Sequence, residues 1–195
     1  MVDIFISSTN KGKLNEIRKM VPEGFVFKGL SDLGFEGEIP ETGLTFEENA
    51  RQKATFVAEK YQINCLSDDS GLEVAALGGA PGVYSARYAG PQATDQQNVE
   101  KLMREMAGNV ERKARFVCFM CLIINEKEYI FEGELQGRIA ESPRGQSGFG
   151  YDPVFIPEGD TRTLAEMTIE EKNRISHRAK AMASLGEFLK TLNYS

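Results

Sequence analysis

The sequence predicts an α/β fold built on a mixed β-sheet, and three observations support this prediction. A short strand pattern at the N-terminus runs through a polar loop into a helical pattern. Further segments, near residues 45–61 and 94–106, repeat apolar residues at helical spacing. A long apolar run at 114–124 is followed by a second strand pattern at 129–139, which is typical of an antiparallel hairpin. Because the hairpin strands are antiparallel, the predicted sheet is not purely parallel.

The composition fits a single domain over residues 1–195. With 41% hydrophobic and 27% charged residues, the chain is ordinary globular protein, long enough to bury about 70% of its unfolded surface. The net charge of -6 argues against nucleic acid or an acidic membrane as a partner, because both need a basic surface. No apolar run approaches the ~20 residues of a membrane span, and Met1–Ile4 lacks the basic region of a signal peptide. We therefore expect a cytoplasmic protein.

The first strand is predicted at Val2–Ser7 and leads into the polar turn 8–13. A helix should follow and end at 22–24. Its apolar face consists of Leu14, Ile17 and Val21. Exposed N–H groups at the start of this helix, with Lys13 beside them, favour a phosphate, although a plain N-cap needs no ligand. The spacing matches neither a Walker A loop nor the dinucleotide fingerprint.

A second strand is predicted at Phe25–Lys28, followed by an acidic loop at 31–41. Thr45 and Glu48 form a capping box, which predicts a helix from about Thr45 to Tyr61. The apolar stripe of this helix is Phe46, Ala50, Ala54, Val57 and Tyr61. Glu41 lies just before the positive end of the helix and within reach of a metal held by Asp69.

The stretch Ser67–Gly71 places Asp68 and Asp69 side by side after the apolar run 63–66. We expect them at the end of a strand, where ligands collect in open α/β sheets. Carboxylates grouped in this way are stabilised by a hard divalent cation such as Mg²⁺, which leaves room for substrate phosphates. A solvated turn explains the same residues equally well, since Asp, Ser and Gly are ordinary turn residues.

The glycine-rich turn 78–82 and the segment 83–90 follow. Arg87 in that segment is either a phosphate clamp or a surface ion-pair partner. A helix is predicted at Thr94–Met106, then the two hairpin strands joined by a turn at 125–128. Cys65, Cys118 and Cys121 are an odd number of cysteines in apolar surroundings, as expected for reduced thiols. Cys118 and Cys121 face opposite sides of a strand, so core packing is favoured over a zinc site.

The last third of the chain contains a glycine-rich loop, 144–153, whose aromatic residues can stack on a nucleobase, although a flexible connection is equally consistent. Thr168 and Glu171 cap a short turn, and Ser176 caps a long helix. The inner stripe of that helix is Ala179, Met182, Leu185 and Leu189. His177 and Arg178 then lie at its positive end, which argues for an anionic ligand. As the only histidine, His177 excludes a multi-histidine zinc site.

Five motifs in one order give the chain a family resemblance. They are Ser8-Thr9-Asn10, Asp68-Asp69-Ser70-Gly71, the segment 79–87, the segment 149–153 and Ser176-His177-Arg178. In these motifs the chain resembles the inosine triphosphate pyrophosphatases, the Ham1 family, from the first strand to the last helix. Ser8 and Ser67 depart slightly from the usual form of the first two motifs, without placing the activity in doubt.

The resemblance implies a Mg²⁺-dependent hydrolase that cleaves ITP, dITP and XTP to the monophosphate and pyrophosphate and so removes deaminated purines. It also implies an elongated α/β protein with two lobes, a central substrate cleft and a homodimeric assembly. The partner is then a small nucleoside triphosphate, with no nucleic acid and no membrane.

The resemblance also assigns roles to residues. Asp69 becomes the metal-associated proton acceptor, Glu41 a further metal ligand, and Ser70 a substrate contact. The triphosphate is contacted by Ser8, Thr9, Asn10, Lys11, Gly12 and Lys13. The nucleoside pocket is lined by Phe149, Gly150, Tyr151, Asp152 and Lys172, and the base is read by His177 and Arg178. Supporting positions are Asp68, Lys53 and Arg87.

Chemistry leaves two other classes of function open. One is a phosphomonoesterase that uses Asp68 or Asp69 as a covalent nucleophile and releases orthophosphate. The other is a nucleotide-binding module, which binds the nucleotide without forming any product. Within the pyrophosphatase interpretation, donors can pair with a 6-oxo purine and are left unpaired by adenine, and they lie near Lys172, Ser176, His177 and Arg178. Guanine also has a 6-oxo group, and nothing in the sequence locates the group that rejects it.

Overall fold

The computed structural model describes residues 1–192 and shows an α/β fold. The strands are β1 Val2–Ser7, β2 Phe25–Gly29, β3 Cys65–Val74, β4 Lys113–Ile124, β5 Lys127–Ile139 and β6 Phe155–Pro157. The helices are α1 Lys11–Arg18, α2 Phe46–Tyr61, α3 Asp95–Glu105, α4 Ile169–Ile175 and α5 His177–Thr191. The strands form one sheet in the order β2-β1-β3-β4-β5-β6. Because β1 is parallel to β2 and β3 while β5 and β6 are antiparallel, the predicted mixed sheet is confirmed.

The chain divides into two compact units. The first contains residues 1–69, 118–133 and the described residues from Arg178 onward, and the second contains 70–117 and 134–177. Strands β3, β4 and β5 each contribute residues to both units. A single domain over residues 1–195 and a central cleft stay predictions.

The core of the first unit lies between its strands and α5. Ile4 and Ile6 of β1 and Leu66 of β3 are fully buried and share a cluster with Met182 and Leu185 of α5. The predicted α5 stripe has three buried members, which are Met182, Leu185 and Leu189. Ala179, the remaining member, is only partly buried, and Ala181 is buried in the core instead. The amphipathic pattern therefore places α5 correctly to within about one residue.

The prediction that Asp68 and Asp69 end a strand is wrong. β3 continues through both residues to Val74, with Leu72 and Val74 buried beyond them. The apolar alternation at Leu72 and Val74 therefore decides the local structure, whereas the turn residues Ser70 and Gly71 do not. The parallel partner β1 stops at Ser7, which pairs with Ser67. Asp68 and Asp69 thus lie just past the carboxyl end of β1, although not of their own strand.

Two further element boundaries differ from the prediction. Helix α1 ends at Arg18, which leaves Val21 outside it. The hairpin turn consists of Asn125 and Glu126 alone, both at positive φ, so β5 already starts at Lys127. The core positions of Cys118 and Cys121 are confirmed, since both are fully buried and they belong to different apolar clusters.

The second unit has its own core, formed by α3, parts of β3 to β5 and the segment around β6. Leu72, Leu102, Val154 and Phe155 are fully buried in it. α3 begins at Asp95, one residue after the predicted start, and its N-cap is Thr94, whose hydroxyl accepts from the Gln97 amide. Within residues 1–192, the helices are all too short or too polar to cross a membrane.

Candidate active site

Glu41, Lys53 and Asp69 form the most exposed part of an ionic cluster in the first unit. Lys53 Nζ donates to Glu41 Oε1 at 2.7 Å and to Asp69 Oδ1 at 2.9 Å. The Lys53 and Asp69 side chains are only 6% and 11% exposed, whereas the Glu41 side chain is 36% exposed. Two carboxylates from distant parts of the chain therefore converge on one cation.

Serine hydroxyls hold α2 against the sheet and so place Lys53. Ser7 Oγ donates to the Lys53 carbonyl oxygen at 3.1 Å, and Ser67 Oγ donates to the Ala50 carbonyl oxygen at 2.5 Å. Ala50 and Ala54 are fully buried on the same face of α2. Their small side chains let the helix approach the strands closely, and Lys53 lies among them on that face.

The loop before α2 is fixed by side chains of the helix itself. Glu48 Oε2 accepts from the Leu44 amide at 2.7 Å, and the predicted capping box with Thr45 is confirmed. Asn49 Oδ1 accepts from the Gly43 amide at 2.8 Å. A Cβ at Gly43 would lie 2.7 Å from Glu48 Cβ, so a side chain does not fit there. These contacts orient the loop that carries Glu41.

Asp68 lies in a fully enclosed part of the same cluster. Its Oδ1 is 2.5 Å from Lys13 Nζ, while its Oδ2 accepts from Arg178 Nε at 2.8 Å and from Cys118 Sγ at 3.1 Å. The Asp68 side chain is 0% exposed. Arg178 also pairs with Glu16. Donors thus occupy both oxygens of Asp68, which favours the predicted supporting role over that of a nucleophile.

The two adjacent aspartates have opposite pKa shifts. Burial opposes ionisation of Asp68, but Arg178 and Lys13 outweigh it and hold the pKa of Asp68 well below its usual value. Burial raises the pKa of Asp69, and the attraction of Lys53 only partly offsets this effect. Burial also opposes the charge of Lys53, yet Asp69 and Glu41 raise its pKa. A pair of carboxyl groups with separated pKa values is a common arrangement for divided acid–base roles.

The cluster carries an excess of negative charge. Its carboxylates belong to Glu16, Glu41, Asp68 and Asp69, and its cations to Lys13, Lys53 and Arg178. If all seven are ionised, one negative charge remains. This excess favours a further cation rather than a bare anion near Asp69 and Glu41.

The predicted phosphate loop starts α1. Asn10 is its N-cap, and Asn10 Oδ1 accepts from the Lys13 amide at 3.1 Å. Ser8 Oγ accepts from the Asn10 amide at 3.2 Å. Thr9, Asn10 and Lys11 are exposed at this helix terminus, and Gly12 is half-buried. The loop thus has the shape expected of an anion site, but the Lys13 ammonium is paired with Asp68.

A second polar group, in the second unit, consists of Phe149, Asp152 and Lys172. Lys172 Nζ donates to Asp152 Oδ2 at 2.6 Å, and the same oxygen accepts from the Phe149 amide at 2.9 Å. Lys172 Nζ also lies 4.6 Å from the centroid of the Phe149 ring. The side chains of Lys172 and Asp152 are 7% and 4% exposed. Three of the residues predicted to line the nucleoside pocket therefore meet.

The loop that carries these residues is tightly fixed. Tyr151 Oη donates to the Ser85 carbonyl oxygen at 2.8 Å, and the Gly150 amide donates to Asp95 Oδ2 at 2.7 Å. Gly148 has φ +81°, and a Cβ there would lie 2.0 Å from Asp152 Oδ2. Glycine is needed at that position both for the backbone conformation and for the approach of Asp152.

The other predicted residues lie in different surroundings. His177 is buried and stacks on Phe116 with ring centroids 4.8 Å apart. Ser70, which follows Asp69 in β3, is half-buried. The Arg87 guanidinium lies 5.3 Å from the centroid of the Tyr84 ring.

The interpretation of Arg178 needs correction. We expected an anionic ligand to explain a cation at the start of α5, and we assigned Arg178 to the base. Its side chain is 2% exposed and binds Asp68 and Glu16, so anions of the chain itself explain its position. The structure places the guanidinium in the carboxylate cluster of the first unit.

Sequence reasoning missed two members of this cluster. Glu16 lies three residues after Lys13, and this spacing places both residues on one face of a helix. The sequence therefore contained a pattern that could have predicted Glu16 beside Lys13. Cys118 was predicted only as a core residue, and its hydrogen bond to Asp68 crosses fifty sequence positions. No local pattern indicates such a contact.

The donor set near Asp69 fits magnesium. Glu41 and Asp69 supply carboxylate oxygens, the ligand type that Mg²⁺ takes, and the two side chains are brought together by their shared contact with Lys53 Nζ. Within residues 1–192, no three His, Cys, Asp or Glu side chains are grouped to hold one metal. Mg²⁺ is commonly bound through one or two carboxylates together with substrate phosphates and water, so this pair is sufficient.

Comparison with known proteins gives consistent full-length matches. The model of the Ham1 family matches residues 4–188. A dITP/XTP pyrophosphatase of Bacillus subtilis is 48% identical over 97% of this chain and 98% of its own length. One of Flavobacterium psychrophilum is 46% identical over 97% of this chain and 100% of its own length. The solved structure of a HAM1 protein from Coxiella burnetii has a TM-score of 0.91 at 40% identity and covers 98% of this chain, and 100% of that structure is matched.

Proposed function

The chain belongs to the Ham1 family, and from this premise we propose that it hydrolyses ITP, dITP and XTP to the nucleoside monophosphate and pyrophosphate. Relatives that match nearly its whole length are dITP/XTP pyrophosphatases. The proposed role is removal of deaminated purine nucleotides from the nucleotide pool.

One observation carries the proposal: Glu41 and Asp69 converge on a single cation, whereas the adjacent Asp68 is enclosed by donors. A site that only held a phosphate would gain nothing from two carboxylates facing it, because like charges repel. A carboxylate pair is useful where a metal ion and a water molecule act on a phosphate.

We assign Asp69 and Glu41 as the residues that hold Mg²⁺. When bound, the ion would neutralise charge on the phosphate oxygens and lower the pKa of nearby water. Glu41, the more exposed of the two, lies on a loop fixed by α2, so its carboxylate is held in place before any ligand arrives.

Asp69 is the proposed general base. It accepts a proton from water, and the water oxygen bonds to the α-phosphorus. The bond from the α-phosphorus to the bridging oxygen breaks, and pyrophosphate leaves. A carboxyl group whose pKa is raised by burial is a better base for this step than one held at a low pKa, such as Asp68. Amides at the start of α1 stabilise the charge of the leaving group, and Lys13, which Asp68 holds beside them, adds positive charge there.

Asp152, Lys172 and Phe149 are proposed to hold the purine. Lys172 is a buried donor whose hydrogen bond to Asp152 limits its freedom, and the Phe149 ring offers a face for stacking. Lys172 can donate to a 6-oxo group, whereas the 6-amino group of adenine would leave it poorly paired.

A homodimer and a cytoplasmic location are also part of the proposal. Both follow the family resemblance, and the three cysteines support the location because they are free, buried thiols, as expected in a reducing compartment.

Product analysis tests the proposal. Purified protein is incubated with ITP, XTP, dITP, GTP and ATP, with and without Mg²⁺, and the products are separated. We expect monophosphate and pyrophosphate from the first three nucleotides, only with Mg²⁺. Orthophosphate as the first product would indicate a phosphomonoesterase, and ITP binding without any product would indicate a binding module.

A further inference from the structure

A pocket in the second unit is lined by three arginines. Its volume is about 340 Å³, and its charged and hydroxyl-bearing lining residues are Arg112, Arg138, Arg144, Glu141 and Ser142. We name it the arginine pocket. Three cations against one carboxylate are unusual in a chain with an overall charge of -6. The excess positive charge therefore needs an explanation.

Among residues 1–192, Arg112 is held by carbonyl oxygens and pairs with no carboxylate. Its Nε donates to the Ile139 carbonyl oxygen and its Nη2 to that of Ala140, both at 2.6 Å, and its Nη1 reaches the Asn109 carbonyl oxygen at 3.4 Å. These bonds fix the guanidinium plane but leave its positive charge uncompensated, because a carbonyl is a dipole rather than an anion. The other N–H groups of the guanidinium remain for a ligand.

The other two arginines add to this charge. Arg138 is exposed on β5, opposite Ile156 of the short edge strand β6. Within the described residues 1–192, Arg138 has neither a hydrogen bond nor an ion pair through its side chain. Arg144 donates to the Thr161 carbonyl oxygen at 2.8 Å and lies 3.6 Å from Glu166, a loose ion pair at the surface. The pocket therefore combines the fixed Arg112 guanidinium with an exposed one, Arg138, and with the loosely paired Arg144.

We propose that the arginine pocket binds a phosphate group, either of a free phosphate or pyrophosphate ion or of a small phosphorylated metabolite. Planar guanidinium groups match the oxygens of a phosphate in bidentate fashion, and several of them around one concavity favour a group with two negative charges. The Ser142 hydroxyl adds a neutral donor. Glu141 disfavours larger polyanions and accepts a hydrogen bond from a protonated or hydroxyl-bearing ligand. This site does not depend on the proposed catalytic function.

Side-chain NMR of the arginine Nε–Hε groups tests the proposal. Inorganic phosphate, pyrophosphate and a nucleoside monophosphate are titrated separately at constant ionic strength, with chloride as the reference anion. We expect saturable shifts of Arg112, Arg138 and Arg144 with at least one phosphate compound. The arm that saturates at the lowest concentration identifies the source of the phosphate group.

Two matched variants make the test specific. Arg138→Gln should weaken binding about tenfold, as read from Arg112 and Arg144, because one charge-assisted contact is lost. Arg51→Gln removes the same charge from an exposed position on α2 in the first unit, which does not line the pocket, and it should leave binding unchanged. Shifts that chloride reproduces, shifts confined to other arginines, or equal binding by both variants would each overturn the proposal.

Discussion

Asp68 and Asp69 are consecutive residues of β3, yet their carboxylates bind different cations. Asp68 binds Lys13 and Arg178 in an enclosed position, whereas Asp69 shares Lys53 with the partly exposed Glu41. Alternation along a strand directs neighbouring side chains to opposite faces, so each aspartate meets its own surroundings. The two carboxylates therefore differ both in their exposure and in the cations that bind them.

Replacing Asp69 tests its role as general base. Asp69→Asn keeps the shape of the side chain but cannot accept the proton, so turnover of ITP should fall about 10²- to 10⁴-fold with saturating Mg²⁺. Steady-state kinetics measures the effect. The control is Asp3→Asn, which changes the same charge at an exposed ion pair with Lys28. Near-normal turnover by Asp69→Asn would show that another group takes the proton.

Removing Arg178 should destabilise the fold strongly. Arg178→Met leaves Asp68 and Glu16 buried without this cation, and breaking a buried pair in that way costs about 3–5 kcal/mol in the free energy of unfolding. Urea denaturation gives the value. Lys190→Met breaks the exposed pair with Glu187 and should cost no more than about 1 kcal/mol. Similar losses in the two variants would contradict the buried character of the Arg178 contacts.

The pKa of Asp68 predicts a loss of stability in acid. Because its folded-state pKa lies well below the unfolded value of about 3.9, ionised Asp68 stabilises the fold fully above that pH. The contribution is lost as the pH falls from about 3.9 through the folded-state pKa. The free energy of unfolding, measured from pH 7 to pH 2, should fall less steeply below pH 4 in Arg178→Met than in the parent protein. Parallel curves would refute this.

Lys172 should control the choice of base. Lys172→Met removes the donor proposed for the 6-oxo group, so kcat/KM for ITP should fall about a hundredfold while the low value for ATP changes little. Competition assays that contain both nucleotides measure the ratio of kcat/KM for ITP to kcat/KM for ATP. Lys113→Met, at an exposed position of β4, is the control. If the parent protein hydrolyses ATP and ITP with comparable kcat/KM, selection at the 6-position is refuted for this chain.

Two glycines of one loop should differ in their tolerance of alanine. Both have positive φ, so each substitution costs about 1 kcal/mol of backbone strain. Gly148→Ala also brings Cβ to 2.0 Å from Asp152 Oδ2, whereas nothing lies within 4 Å of a Cβ at Gly150. The KM for ITP should therefore rise much more in Gly148→Ala than in Gly150→Ala. Equal effects would mean that Asp152 moves without cost.

Local patterns predicted most of the elements, for identifiable reasons. The capping boxes at Thr45 and Thr168 and the stripes of α2 and α5 are repeated signals within one segment, and the structure contains these elements close to the predicted bounds. The extent of β3 was mispredicted because Ser70 and Gly71 are turn residues by composition. Pairing and burial of the flanking residues outweigh that preference.

Contacts between distant segments set the limit of prediction at the site. The spacing of Lys13 and Glu16 was readable, but the meeting of Asp68 with Cys118 and Arg178 depends on how β3, β4 and α5 pack. A cation at the positive end of a helix indicates only that an anion lies nearby, and for this reason the position of Arg178 suggested a ligand. It does not reveal whether that anion belongs to the chain.

The ammonium of Lys53 between Glu41 and Asp69 has a consequence for biosynthesis. Two carboxylates that face each other would repel and oppose folding in a cell short of magnesium, but the Lys53 ammonium between them offsets most of this repulsion from within the chain. A newly made molecule can therefore fold before any divalent cation arrives. If the site holds Mg²⁺ as proposed, a chelator should abolish activity reversibly and leave the melting temperature nearly unchanged, in contrast to proteins whose metal is part of the fold.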